Sequence, residues 1–365
     1  MQRVFLPAVV LAAAVLAVGA GGQVQADGSR SAARSFNSDL PLTVWVRDVW
    51  QSAPRWVGTT PAATPLAIPE CADWGVTPLK TWDRDWAALL RVLDREHIPG
   101  LRMPADTKDA DLGQIKGCKA LQELSLADTQ VTDAGLAQLK DLQGLGALDL
   151  SLTRVTGSGL AQLKDLQALH SLDLGDTELA DAALVQVKQF QALQRLSLRN
   201  TKVTDKGLLP LADLKSLQTL SLMGTRVSAA GLVHLKDLTA LQSLDLQDTQ
   251  VSDAGLAQLK ALKGLQTLNL NNTPLTDAGL LQLKDLSGLQ KLYLAGTRLT
   301  DAGLVQLKAL PGLQVLDLRG IPLTDAGLPP LKDLKNLGWL YLTDTKATDA
   351  GKADLQRALP NCTIR

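Results

Sequence analysis

The chain has 365 residues, 37 basic against 37 acidic side chains, and 45% apolar residues. That composition excludes an intrinsically disordered chain and is ample for a large core. Zero formal net charge argues against a phosphate-binding surface, which needs clustered Lys and Arg to release counterions, so no nucleic-acid partner is expected.

Residues 1–26 read as a secretory signal. Arg3 supplies the positive start, Val4 to Val18 the apolar run, and Val24-Gln25-Ala26 the small residues of a cleavage site. The run is short for a span of about 20 residues and Pro7 interrupts it, so an uncleaved anchor is the competing reading. Charged residues recur in every later segment, so no membrane span is expected after signal removal. The expected location is the periplasm, the envelope or the outside of the cell.

Residues 27–82 hold Pro, Thr, Ser, Ala and Trp without sustained periodicity and read as a linker or stalk. Within it, 42–50 alternates like a short strand, whereas 59–69 is linker-like. Trp45, Trp50 and Trp56 are docking aromatics, for the open end of the following domain or for a partner. Residues 83–120 read as an N-terminal cap. Asp83 to Arg95 carries Trp86, Leu89, Leu90 and Leu93 at helical spacing, with Asp83 or Thr81 to cap it. Residues 98–120 form a degenerate repeat, in which Ile98, Leu101 and Met103 echo the pattern that follows.

From Leu121 to residue 360 a 24-residue unit recurs ten times, beginning at Leu121, 145, 169, 193, 217, 241, 265, 289, 313 and 337. Its form is L-Q-x-L-x-L-x-x-T-x-V-T-D-A-G-L-x-Q-L-K-D-L-x-x, and positions 1, 4 and 6 are leucine in every copy. A unit this short cannot bury its own apolar face, so neighbours stack into one continuous core. Positions 3 to 7 alternate, which predicts a strand with leucines inward and variable residues outward. Thr at position 9 is expected to bond backbone in the turn that leaves the strand. Thr and Asp at positions 12 and 13 are expected to cap a second, helical element, with calcium as the weaker reading of the Asp ladder. Leucines at 16, 19 and 22 face the strands, and Gly at 15 marks a close approach. The last unit is altered: Ala347, Lys352 and Ala358 stand where others are apolar, and 361–365 is a strand-like tail placing Ile364 at position 4 of an eleventh turn.

Over residues 98–365 this pattern resembles the leucine-rich-repeat family, in the helix-bearing form of exported bacterial repeat proteins; it is also similar to the repeats of F-box substrate adaptors. The resemblance implies an α/β solenoid, a curved horseshoe with parallel strands on the concave face and short helices on the convex face. It implies protein binding as the usual role.

Catalysis finds no support in the sequence. His97, His170 and His234 occupy unlike positions in different units, and the acids are spread over a regular surface. The protein is therefore read as a non-enzyme with no cofactor and no metal. Cys118 stands at a core position; Cys71 is a candidate partner to staple the cap. Cys362 lies roughly 50 Å from Cys118 at about 4.8 Å per strand and is expected near the surface as a thiol able to dimerise the protein, although a monomer is the expected state. The candidate partner-binding residues are Tyr293, Trp339 and Tyr341 in outward strand positions, with Lys291, Val315, Asp317 and Arg319 beside them. Large aromatics with an adjacent Arg have the composition of a binding hot spot; the competing reading is that Trp339 and Tyr341 cover the end of the core. The function expected is a protein-binding module in the bacterial envelope or outside the cell, its partner unnamed. The alternative is a structural or cell-wall polysaccharide-associated repeat protein.

Overall fold

A computed structural model describes residues 34–47, 54–68 and 73–365. The expected signal segment, Trp50 and Cys71 lie outside the described residues, and with Cys71 the proposed staple. Each unit contributes a three-residue strand at positions 3 to 5, from Glu123–Ser125 to Trp339–Tyr341. Adjacent strands pair in parallel with the leucines in register, as in Leu196↔Leu220 and Leu220↔Leu244. These strands belong to an open 15-stranded sheet. The tail pairs as expected, Leu340 opposite Ile364.

Residues 34–78 depart from the linker expectation. They form β1 (Arg34–Phe36), β2 (Leu42–Arg47), β3 (Arg55–Thr60), β4 (Leu66–Ile68) and β5 (Asp73–Pro78). β2 pairs antiparallel with β3 and β5, and β5 runs parallel to β6 (Gly100–Arg102), so the long sheet continues into a β cap. Leu42, Val44, Val46 and Val76 are fully buried there, which closes the end of a core that would otherwise face water. Trp45 lies across Gly75 and Gly100; a Cβ on Gly100 would stand 2.6 Å from its ring. Trp56 is 52% exposed. The cap helix is Trp86–Arg95, with Asp85 as its cap rather than Asp83 or Thr81: its carboxylate accepts from the Ala88 N–H at 2.9 Å.

The convex elements are mostly 3₁₀ turns, such as Gly135–Leu139 and Gly303–Ala309, with short α segments at Asp181–Val187, Asp253–Leu256 and Asp277–Leu280. Leucines at 16, 19 and 22 recur every three residues, which is the period of a 3₁₀ helix, where such side chains eclipse along one line. Leu136, Leu139 and Leu142 are accordingly all buried. Of the ten units, the last winds a ten-residue α-helix, Asp349–Ala358.

Two hydrogen-bond ladders hold the stack. The Thr ladder behaves as expected: Thr129, Thr225 and Thr297 donate to the carbonyls of Leu126, Leu222 and Leu294 at 2.6–2.7 Å. The Asp ladder does not cap its own helix. Asp277 accepts from both the backbone N–H (2.9 Å) and the hydroxyl (2.6 Å) of Thr300 in the next unit; Asp109, Asp181, Asp205, Asp253, Asp301 and Asp325 bridge units in the same way. Glycine at position 15 follows from that bridge, because a Cβ on Gly303 would lie 2.1 Å from Asp277 Oδ1. One joint is inverted. Gly157 stands where Asp belongs, and Ala183 where the next Gly belongs, with a Cβ on Gly157 falling 2.2 Å from that of Ala183.

Position 8, where the strand turns away, is left-handed in every unit, with φ between 53° at Asn200 and 69° at Gly320. Asp, Asn or Gly fills it except at Leu152 (φ 57°), whose side chain is also exposed. A branched apolar residue is strained in that conformation. Leu152→Asn is expected to stabilise the protein by about 1 kcal/mol, read as a higher denaturation midpoint.

Candidate binding surface

The parallel register sets two rows of outward residues at the C-terminal end of the sheet. Lys291, Val315 and Trp339 are neighbours in one row, and Tyr293, Asp317 and Tyr341 in the other. Six of the seven residues singled out in the sequence are therefore brought together, and Arg319 joins them through Asp317. They are not equally available. Tyr293, Lys291, Val315 and Asp317 are buried, whereas Trp339 is 36% exposed and Tyr341 half-buried. Burial pushes the Tyr293 phenol up to about 12, so it is neutral across the physiological range.

The Trp339 and Tyr341 rings lie nearly parallel (13°) with centroids 6.5 Å apart. Arg319 stands 5.5 Å over Tyr341, and Arg365, a residue the sequence reading passed over, 5.1 Å over Trp339. Arg319 is fixed by donating Nε (2.9 Å) and Nη2 (2.6 Å) to the buried Asp317 carboxylate. That pair raises the Arg319 pKa above its ordinary value. Beside the rings runs a groove of about 630 Å³, lined by Lys291, Val315 and Trp339 and by Gly288, Gly312 and Gly338. The three glycines leave room that side chains would otherwise fill.

The acids of position 5 are structural rather than free. Asp149, Asp245 and Asp317 each accept from the backbone N–H two residues on, at 3.0–3.1 Å, fixing the strand exit. Burial raises the Asp173 carboxyl, with Asp149 adding to the shift. Burial pushes Asp245 up to about 6, against hydrogen bonds from Gln247 and Ser221. A carboxyl raised above its unfolded value contributes stability below about pH 4 that is lost as pH climbs through 6. Asn269 does the same work one unit later, accepting from the Asn271 N–H at 3.1 Å. Asp245→Asn is thus expected to stabilise the protein at pH 8 on the order of 2 kcal/mol and to leave it unchanged at pH 4, in paired urea titrations.

Cys362 is buried in the apolar core, not near the surface as expected; burial raises its thiol to about 11, as it does that of Cys118. Such a thiol is a poor nucleophile, and the dimerising role falls away. Among the described residues no group of three His, Cys, Asp or Glu side chains is placed to hold a metal ion, and no helix is long and apolar enough to cross a membrane.

A family model described as two copies of leucine-rich repeats matches residues 239–283, and a single-repeat model matches 117–139 and 191–212. The chain carries leucine-rich repeats at these residues. No curated protein matches it significantly. Solved structures similar to this leucine-rich-repeat chain include an internalin from Listeria monocytogenes, with 21% identity, 69% of this chain and 82% of that chain covered, and a TM-score of 0.47. A leucine-rich-repeat protein from Leptospira interrogans has 21% identity, covers 76% and 86%, and scores 0.48. A plant peptide hormone receptor in complex with RGF2 has 15% identity, covers 73% and 49%, and scores 0.44.

Proposed function

We propose that this leucine-rich-repeat protein is a non-enzymatic binding module, exported to the bacterial envelope or beyond it, that holds a protein partner on its outward strand face. The stacked solenoid presents an extended, rigid surface of the kind repeat proteins use for recognition. The observation that carries the reading is the parallel Trp339–Tyr341 pair with Arg365 and Arg319 over its rings. Rigid aromatics and a fixed Arg lose little conformational freedom on binding, and they dominate measured interface energetics. Trp339 is the anchor, Tyr341 and Arg319 its flank. Tyr293, Lys291, Val315 and Asp317 form the bed beneath them rather than direct contacts.

The test is cross-linked capture from an envelope extract with the full chain, beside Trp339→Ala, Tyr341→Ala and Tyr293→Ala single variants of unchanged circular dichroism. A protein retained by the parent, lost with Trp339→Ala and weakened with Tyr341→Ala supports the reading. Undiminished capture by the Trp339→Ala variant removes the C-terminal patch. Retention of wall polysaccharide in place of protein supports the alternative role.

A further inference from the structure

The groove beside Trp339 has a chemistry of its own, apart from the Trp339–Tyr341 pair proposed to anchor a protein. It crosses three successive units and takes equivalent residues from each. The last residue of one unit and positions 2 and 3 of the next supply Gly288, Gln290 and Lys291, then Gly312, Gln314 and Val315. These rows stay in register: the Gln314 and Gly338 N–H groups donate to the Gln290 and Gln314 carbonyls at 2.7 and 2.8 Å. At about 630 Å³ the groove falls within the size of small-ligand clefts, about 300–1,000 Å³.

Two of its three glycines answer to no need of the fold. Gly288 is fixed by packing, because a Cβ there would stand 2.8 Å from the Lys263 carbonyl oxygen. A Cβ on Gly312 would come within 4 Å only of the Leu289 and Ser287 carbonyls, at 3.4 and 3.8 Å. One on Gly338 would meet only the Gln314 carbonyl, at 3.6 Å. Those are ordinary contacts, and neither glycine has the left-handed backbone that selects the residue. Other units carry side chains at the same positions, such as Ala192 and Ala240 at the first, and Gln218, Gln242 and Gln266 at the second. Glycine costs backbone entropy on folding, so the space left at Gly312 and Gly338 calls for an occupant from outside the chain.

The walls select that occupant. Gln290 and Gln314 carry amides that both donate and accept, and among the described residues neither side chain is hydrogen-bonded to the protein. Asn336 donates Nδ2 to the Pro311 carbonyl at 2.9 Å, which leaves its Oδ1 as an acceptor. Among the described residues no carboxylate and no Arg lines the groove, and its one charged residue, Lys291, is 7% exposed. A phosphate-bearing chain needs clustered cations, so a neutral ligand fits. Val315 and the 36% exposed Trp339 add apolar surface. A sugar ring matches these walls, with hydroxyls at its edge for the amides and C–H groups on its face for the indole. The spacing of the walls separates a chain of sugars from a peptide. Strands lie about 4.8 Å apart, whereas an extended peptide advances about 3.3–3.4 Å per residue and falls out of step with successive units. Flat chains of β-1,4-linked pyranose residues advance by nearly the strand spacing, so each ring meets an equivalent set of groups.

We propose that this groove binds a neutral, extended polysaccharide of β-1,4-linked pyranose residues, with Gln290 and Gln314 bonding its hydroxyls and Trp339 supporting a ring face.

Calorimetry and tryptophan fluorescence of the full chain titrated with cellohexaose, and separately with its N-acetylated counterpart chitohexaose, test the proposal. Saturable binding of one or both is expected. Maltohexaose, whose α-1,4 linkages coil the chain, is expected to bind at least tenfold more weakly. Gly312→Ala combined with Gly338→Gln gives these positions side chains that other units carry. It is expected to weaken binding at least tenfold and to keep the parent's denaturation midpoint. Gln314→Ala, at an exposed side chain, is expected to weaken binding without any change at a glycine, and Leu209→Ala, on the convex side, to bind as the parent does. Because Trp339 and Tyr341 remain, the doubly substituted protein is expected to capture the protein partner undiminished, so either role can fail without the other. No saturable signal with either β-linked chain, equal binding by the doubly substituted protein and by Gln314→Ala, or equal binding of maltohexaose overturns the proposal.

Discussion

Gly303→Ala is expected to lower the stability of the solenoid by about 3 kcal/mol, from overpacking and from lost charged hydrogen bonds. The new Cβ would enter the space of Asp277 Oδ1. The displaced carboxylate then gives up both bonds from Thr300, which join one unit to the next. The inverted joint at Gly157 and Ala183 shows that the pair can be exchanged as a pair. Asp277→Gly combined with Gly303→Ala is therefore expected to be no less stable than Asp277→Gly alone, a coupling of about 2–3 kcal/mol between touching residues. Urea denaturation of the four proteins measures it. Strict additivity would mean that the glycine is kept for some reason other than the carboxylate of the preceding unit.

Leu220→Ala is expected to cost about 3–4 kcal/mol, the range found when a buried leucine leaves a cavity that its surroundings cannot fill. Leu220 is fully buried and stands in register between Leu196 and Leu244, so its loss loosens two interfaces at once. In a stack where each unit touches only its neighbours, an internal break also separates two halves that stabilise each other. Leu209, 60% exposed on the convex side, serves as the control, and Leu209→Ala is expected to change stability by less than about 0.5 kcal/mol. Equal effects at the two sites would contradict the stacking order.

The repeat was legible because its physics is periodic. Leucines at 4 and 6 define the inner face of the strand, Thr at 9 its turn, and the terminal unit announces itself through Lys352. The Asp at 13 was legible as a hydrogen-bond acceptor but not in its direction: a cap and a bridge to the following unit call for the same residue, and only the packed stack shows that Asp277 accepts from Thr300 of the next unit. The left-handed position 8 was overlooked although Asp, Asn and Gly alternate there, the residues that conformation selects. Residues 34–78 were obscure for another reason. Their strands pair across loops with no repeat to average over, and Gly75 has meaning only once Gly100 and Trp45 are beside it. At the C-terminal patch the sequence placed the aromatics on one face, but it had no means to see that Asp317 and Tyr293 lie beneath the surface while Arg365 returns over Trp339.

The most direct test of the binding role is site-specific photo-cross-linking in cells. A benzophenone amino acid replaces Thr343, exposed two residues beyond Tyr341 at the edge of the outward face, in one strain and Leu281, 45% exposed on the convex side, in another. The expected result is one discrete cross-linked protein from position 343, the same one captured by the parent chain, and none from position 281. Cross-linking from 281 with none from 343 would contradict a partner on the strand face.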